Sequence, residues 1–503
     1  MQQSASLLRL PRLSATVTAS ALCAALLAGC ASSPPAPDAA TLIARAEQAL
    51  GGATASTLSV TARGTGNTFG QAFQPGNPWP ALNVSQLTRS MNFETGAMRE
   101  ESGRSRAEPT GGGAVPLMGQ GELRAVALVR EGFAWNQAGP NAAPAPIAVA
   151  ARQHDLWLGT PQGAVKAARK FNATSGTRSV EGRTLNTLSF TVPGAFAATL
   201  VLDDSHTVSR IESTLPHPVL GDTAVVTTFS DYRDIGGTLR FPMRVRQSIG
   251  SHEVYDVTAT QVTVGTPVEI AVPDNVRAFR ETASTTPVAD GVWFIAGGSH
   301  NSVAIEMAGE IVLVEAPLYD GRTLAVFAAA NALVPGKKVG TVINSHHHFD
   351  HAGGLRAAAG EGATLIVSAA AKPYLERVFA NPNRIAPDHF AKSGKAAASA
   401  RIVGYSGKHV ISDGRRTVEV HEIQGSVHAQ GFNLVWLPKE RLLIEADAYT
   451  PGPPNSPPPP APNANNVNLV QNIERLGLDV DRILPLHSRV VPMSELLAAI
   501  GRR

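Results

Sequence analysis

Cysteine is almost absent from this chain: only Cys23 and Cys30 occur among 503 residues, both within the first thirty. The rest of the sequence therefore offers no disulfide, no thiolate metal ligand and no cysteine nucleophile. A Gly-x-Ser-x-Gly elbow is missing too, so the serine-hydrolase strand-to-helix turn is not expected. Neither sign of charge dominates, with 43 Lys+Arg against 40 Asp+Glu and a formal net charge of +3. No basic stripe interleaved with aromatics is visible, which argues against nucleic acid as a partner. Hydrophobic residues make up 43%, and the length allows more than one domain, each with its own core.

The two cysteines mark the one long apolar stretch at the N-terminus. Arg9 and Arg12 precede the run from Leu13 to Ala28, which ends in Leu27-Ala28-Gly29-Cys30. The run is shorter than the ~20 residues that a spanning helix needs. It is similar to a bacterial secretory signal peptide ending in a lipobox, which implies cleavage after residue 29 and lipid on Cys30. Residues 30–38 then read as an Ala/Ser/Pro tether. Loss of Arg9 and Arg12, with no acid, leaves the mature chain near +1 of the original +3. Ala31 follows Cys30, and in bacterial lipoproteins a non-acidic residue there implies an outer-membrane lipoprotein facing the periplasm. Without lipidation the expected location is the periplasm.

A dense cluster of ligand-type residues lies much further on. Residues 345–351 read Ser-His-His-His-Phe-Asp-His, so His346, His348, Asp350 and His351 follow a His-x-His-x-Asp-His spacing. The apolar run 339–343 before it reads as a strand, and Ala352-Gly353-Gly354-Leu355 starts a helix. A loop between two rigid elements fixes several ligands at once, as metal sites require. His347, between two ligands on extended backbone, should point away and is not counted. His428, Asp447 and His487 each lie at or beyond the end of a further strand-like segment, where loops converge on one sheet edge. His300 and Asn301 sit in an early loop and are expected at the opening, with His300 at the surface. Imidazole and carboxylate suit zinc, with iron and manganese as competitors.

This constellation resembles the metallo-β-lactamase-fold hydrolases over about residues 286–503. The resemblance implies that His346, His348 and His428 hold a first metal ion. Asp350, His351 and His487 would hold a second, and Asp447 would bridge the two. It implies a four-layer αβ/βα sandwich and a hydroxide shared by two divalent ions, zinc foremost, with Asp350 orienting that hydroxide as the catalytic carboxylate. The strand at 311–314 is commonly followed by Asp in the family, which supports the site from behind; here the residue is Glu315. The subclass with a metal-bound cysteine is excluded, because no cysteine lies in this region.

Residues 39–285 read as a different unit. A short amphipathic helix at 39–50 stops at Gly51-Gly52. Strand-like runs follow at 58–63, 85–93, 123–135, 185–192, 197–202, 207–213, 225–232, 243–248 and 254–264. Helices are expected at 148–158 and 161–171. One helix and many antiparallel strands suggest a mainly antiparallel, half-barrel-like β domain. Residues 229–242 are similar to periplasmic lipoprotein-carrier-like domains, which implies a concave apolar face; a scaffold role stays open beside a ligand-binding one. The polar segment 278–287 reads as the boundary, and residues 451–462, with eight prolines, as a stiff loop beside the site.

The favoured function is a hydrolase for a small-molecule ester, lactone, thioester or amide, β-lactams included. A metal-dependent oxidoreductase or sulfur dioxygenase on the same fold, and a non-enzymatic ligand-binding lipoprotein, remain as alternatives. Oligomeric state and substrate identity are not legible. The anchor can be checked directly. Mass spectrometry of the membrane-extracted N-terminus should find diacylglycerol on Cys30, and Cys30→Ser should release the chain from the membrane. A soluble protein beginning at another residue would refute the lipobox.

Overall fold

The computed structural model describes residues 37–52, 56–107, 111–113, 121–457 and 461–502. The expected leader and Cys30 lie outside the described residues. No described helix is long and apolar enough to cross a membrane. From Pro37 onward the chain forms one compact unit.

Its first part is a thirteen-stranded antiparallel sheet. Strand Thr57–Asn67 pairs on one side with Ala81–Asn92 and on the other with the last strand of this sheet, His252–Val264. Two meanders therefore run outward from a central seam, ending at the edge strands Asn141–Pro144 and Thr174–Val180. Those edges do not pair with each other, so the sheet is a half-barrel rather than a closed one. Helices Ala39–Ala49, Val149–Leu158 and Pro161–Lys170 contribute Leu42, Ile43, Leu156, Trp157, Ala164 and Ala168 to a core with Leu58, Met91, Leu188, Phe196 and Leu200. Apolar side chains on alternate strand positions leave water for this core.

One reading differs here. Residues 123–135, expected as a single strand, form the hairpin Leu123–Arg130 and Phe133–Ala138. Glu131 and Gly132 both have positive φ, 53° and 79°. A two-residue turn of that kind matches strand twist and reverses the chain inside an otherwise apolar run.

The second part holds a seven-stranded and a six-stranded sheet. The polar segment taken for a linker contains the first strand, Ser284–Ala289, whose outer residues are exposed because it is an edge. Further in, strands Ile311–Val314, Val339–Ile343, Thr364–Ser368 and Arg401–Tyr405 run parallel. Parallel strands covered on both faces should be apolar at every position, and Ile311–Val314 is buried throughout. Val312 and Val314 pack toward the other sheet with Val420, Leu434 and Ile444. Ile311 and Leu313 pack with Val326, Phe327, Leu355 and Leu375 of the covering helices. In the six-stranded sheet, Leu442–Glu445 and Arg482–Pro485 are the parallel pair. The layers are therefore helix, sheet, sheet, helix, as the metallo-β-lactamase fold requires.

The two parts are stitched together. The Asp222 carboxylate accepts from the Arg384 and Ile385 amides at 2.7 and 3.3 Å, and the Asp222 amide donates to the Pro382 carbonyl at 2.7 Å. The loop 68–80, between the first two strands of the half-barrel, reaches over the ends of the parallel strands.

Candidate metal centre

The loops that leave the carboxyl ends of Ile311–Val314, Val339–Ile343, Leu442–Glu445 and Arg482–Pro485 deliver polar side chains to one place. After Val339–Ile343, the Asn344 amide donates to Glu315 Oε1 at 3.0 Å and to the His351 carbonyl at 3.2 Å, drawing the loop back on itself. His348 caps the short helix Phe349–Ala352 with extended backbone. This bend returns Asp350 and His351 to the side occupied by His346. From the opposite sheet, the Asn433 amide donates to the Ser345 carbonyl at 2.8 Å, locking the loop across both layers. The turn bearing Asp447 is held by the Glu445 carboxylate, which accepts from the Ala448 and Tyr449 amides at 2.9 Å each.

All seven residues singled out from the sequence meet there. His346, His348 and His428 form one group, and His351, Asp350 and His487 form another. His346 Nε2 lies 2.9 Å from His348 Nδ1 and 3.2 Å from His428 Nε2. In the second group, His351 Nε2 and His487 Nε2 are 3.0 Å apart. Asp447 reaches both. Its Oδ2 lies 3.2 Å from His346, 3.3 Å from His428 and 2.8 Å from His351, while Oδ1 lies 3.0 Å from His487.

These spacings fit a pair of cations. Ligand atoms around a tetrahedral ion with bonds of about 2.0–2.1 Å sit roughly 3.3 Å from each other. The converging nitrogens match that edge. Asp447 Oδ2 is buried and, with three imidazole nitrogens within 3.3 Å, makes no well-aligned hydrogen bond, a costly state for a carboxylate oxygen unless a cation answers it. The donor set is all nitrogen and oxygen, as borderline divalent ions prefer.

Hydrogen bonds behind the ligands set their tautomers. Glu315 is fully buried and its Oε2 lies 2.8 Å from His351 Nδ1, so Nε2 is left to face Asp447. The same oxygen accepts from Ser345 Oγ at 2.6 Å, and that hydroxyl lies 3.0 Å from His346 Nδ1. Glu315 thus takes the place behind the site that the resemblance gives to Asp. Its backbone sits in the left-handed region at φ 76°, a strained setting that dense packing must hold. Phe432 stacks on the His346 ring at 4.9 Å.

Burial pushes His346 and His348 well below the usual histidine range, and neighbouring imidazoles add to it. Both are therefore neutral with a lone pair to offer. Burial also works against charge on Asp350, but His351 and the hydrogen bond from His300 outweigh it and hold the carboxyl well down. Asp447 is likewise depressed against burial, by His351, His487 and His428. At His351 burial opposes protonation, yet Asp447, Asp350 and Glu315 prevail and raise it. The field inside the site draws positive charge.

His300 corrects an expectation. It is 6% exposed rather than a surface residue, with Nε2 3.3 Å from Asp350 Oδ2 and its ring 4.2 Å from that of His487. It joins Asp350, His351 and His487 as a fourth member of the second group. Burial lowers its pKa. The buried guanidinium of Arg322 holds it, donating to the His300 carbonyl at 3.1 Å and the Thr282 carbonyl at 2.9 Å. A Cβ at Gly297 would overlap that guanidinium. Asn301, expected at the opening, donates instead to the Ser488 carbonyl at 2.7 Å and so pins the His487 loop. His347 belongs to neither group, but not through extended backbone: the chain bends there, and its Nε2 lies 2.8 Å from the Ala72 carbonyl.

Residues 295–487 match the family model of the metallo-beta-lactamase superfamily. Among relatives, the chain is 25% identical over 223 residues to the alpha subunit of a 2,4-dinitroanisole O-demethylase from Nocardioides sp. (strain JS1661). That match takes in 44% of this chain and 62% of the relative, which is under two thirds of its length. Similar solved structures include metallo-beta-lactamases from Pontibacter korlensis (14% identity, TM-score 0.33) and Hirschia baltica (18%, 0.32). They cover 44% of this chain and 98% and 96% of their own.

Removing Glu315 tests the arrangement behind the ligands. Glu315→Ala leaves His351 Nδ1, Ser345 Oγ and the Asn344 amide buried without their acceptor, and should cost about 3 kcal/mol or more in urea unfolding. Metal affinity should fall roughly 10–100-fold in competition with a chelator. Wild-type affinity in that variant would show that the carboxylate plays no part in holding His351.

Proposed function

Residues 295–487 form a metallo-beta-lactamase superfamily domain, and on that premise we propose that this chain is a metal-dependent hydrolase with two divalent ions, zinc foremost. The observation that carries the reading is Asp447, whose Oδ2 lies between the two histidine-containing groups while its Oδ1 faces His487. His346, His348 and His428 would hold the first ion, Asp350, His351 and His487 the second, with Asp447 between them. Such a pair supplies Lewis acidity, lowering the pKa of water and polarising an electrophile's oxygen.

The chain's own groups do the rest. Asp350 is kept ionised by His351 and His300, so it can accept a hydrogen bond from an attacking water and hold it in line. His300, neutral and 3.3 Å from Asp350, limits how that carboxylate can turn. The buried walls around His346, including Phe432, keep bulk water away from the reacting atoms. No amino-acid nucleophile is required. The substrate class is a small ester, lactone, thioester or amide. The relative's name adds an activated aryl ether to that set. We further propose that lipid on Cys30 holds the enzyme at the periplasmic face of a membrane.

Elemental analysis of the purified full chain should find close to two transition-metal ions per molecule, and the double variant His348→Ala/Asp350→Ala should lose them. Unchanged metal content in that variant would remove the basis of the assignment. The metallated enzyme should turn over at least one member of a panel of lactones, aryl esters, thioesters, β-lactams and 2,4-dinitroanisole. Inactivity on all of them, with oxygen consumption on a persulfide, would replace hydrolysis by oxidoreduction. Asp350→Asn should lower kcat far more than it raises KM, because its interaction is made in the transition state.

A further inference from the structure

Four consecutive residues of the ligand loop, 347–350, are gripped by the half-barrel. Gln71, in its loop 68–80, donates its side-chain amide to Asp350 Oδ1 at 2.9 Å. The neighbouring Ala72 carbonyl lies 3.0 Å from His348 Nε2 and 2.8 Å from His347 Nε2. Between them, the Phe349 amide donates to the Gly70 carbonyl at 3.2 Å.

The loop that makes these contacts is itself firmly seated. The Gln430 amide donates to the Phe73 carbonyl at 2.8 Å, and the Gly112 amide to the Val427 carbonyl at 3.1 Å. Phe69 packs edge-on against Trp79, His217 and Phe349 at 4.4, 5.1 and 5.3 Å. Gly70 has φ 79°, and a Cβ there would overlap the Phe349 ring. At Gly113 a Cβ would overlap Gln71 Oε1 and come within 2.7 Å of His348 Cε1. Two glycines thus let the half-barrel backbone approach the ligand loop this closely.

The consequences are specific. Asp350 Oδ1 is occupied by the Gln71 amide, so the carboxylate turns Oδ2 toward His300 and His351, at 3.3 and 3.7 Å. His348 Nε2 faces a carbonyl, which only accepts; the proton must sit there, and Nδ1 presents its lone pair to His346 and His428. We propose that Gln71 is a positioning residue of the metal centre, fixing Asp350 for the second ion. The Ala72 carbonyl would set the tautomer of His348 for the first. The half-barrel is then part of the catalytic apparatus. This inference rests on the metal-centre reading above.

The test uses the full-length chain and its Gln71→Leu variant, which keeps most of the side-chain volume without the amide. Zinc is titrated against a chelator, apo-protein melting is followed, and kcat and KM are measured on whichever substrate the panel identifies. The variant should bind the second zinc roughly 10–100-fold more weakly, with the first zinc and the apo melting temperature unchanged and the loss in kcat rather than KM. Gly113→Ala, which would displace Gln71 and crowd the His348 ring together, should weaken both ions. Wild-type affinity for both ions in Gln71→Leu would overturn the proposal while leaving the metal centre standing. Equal weakening of both ions together with a lower apo melting temperature would reduce Gln71 to a structural contact and overturn it too. A wild-type chain that takes up no zinc would overturn this inference and the metal-centre reading together.

Discussion

A single carboxylate, that of Asp447, organises the centre of this molecule. It is half-buried among imidazole nitrogens at 2.8–3.3 Å, and one of its oxygens, itself buried, makes no well-aligned hydrogen bond. Placing such a group in a protein interior is unfavourable unless positive charge meets it. The surrounding residues are arranged to that end. Neutral His346 and His348 aim lone pairs inward, and three carboxylates pull charge toward His351.

The rest of the sandwich keeps those groups from relaxing. Parallel strands buried on both faces end at a common edge, so their loops are short and rigidly based. Asn433 and Glu445 spend side-chain hydrogen bonds on loop backbone, and Asn344 divides its own between loop backbone and Glu315. Glu315 keeps a left-handed backbone at the end of its strand. That conformation is affordable because its carboxylate satisfies Ser345, Asn344 and His351 at once.

The half-barrel enters through the same logic. An antiparallel meander turns alternately at both ends, and the end that carries loop 68–80 meets the ligand loop. Phe349, lying between two presumed ligands, serves as the contact: its ring joins Phe69 and His217. Burial lowers the His217 pKa to about 3, so the aromatic contact carries no charge near neutrality. Motion of the half-barrel against the sandwich would disturb Asp350 directly.

The sequence alone determined which residues gather as candidate ligands and much of the sandwich. The spacing of His346, His348, Asp350 and His351 is local, and the apolar runs before Asp447 and His487 are period-independent signals of buried strands, while the segment 418–423 before His428 alternates. Runs such as 311–314 and 339–343 became strands at those bounds because covering both faces leaves no room for polar residues. Tertiary structure decided the remainder. His300 became a member of the second group only because Arg322, from a helix packed behind it, buries its loop. Gln71 and Ala72 lie more than 270 residues before the ligands they touch, and a glutamine beside an alanine carries no pattern. The hairpin inside 123–135 and the edge strand at Ser284 depended on backbone angles and solvent exposure. Local composition records which groups are costly to bury; only the folded chain settles which partners make that burial tolerable.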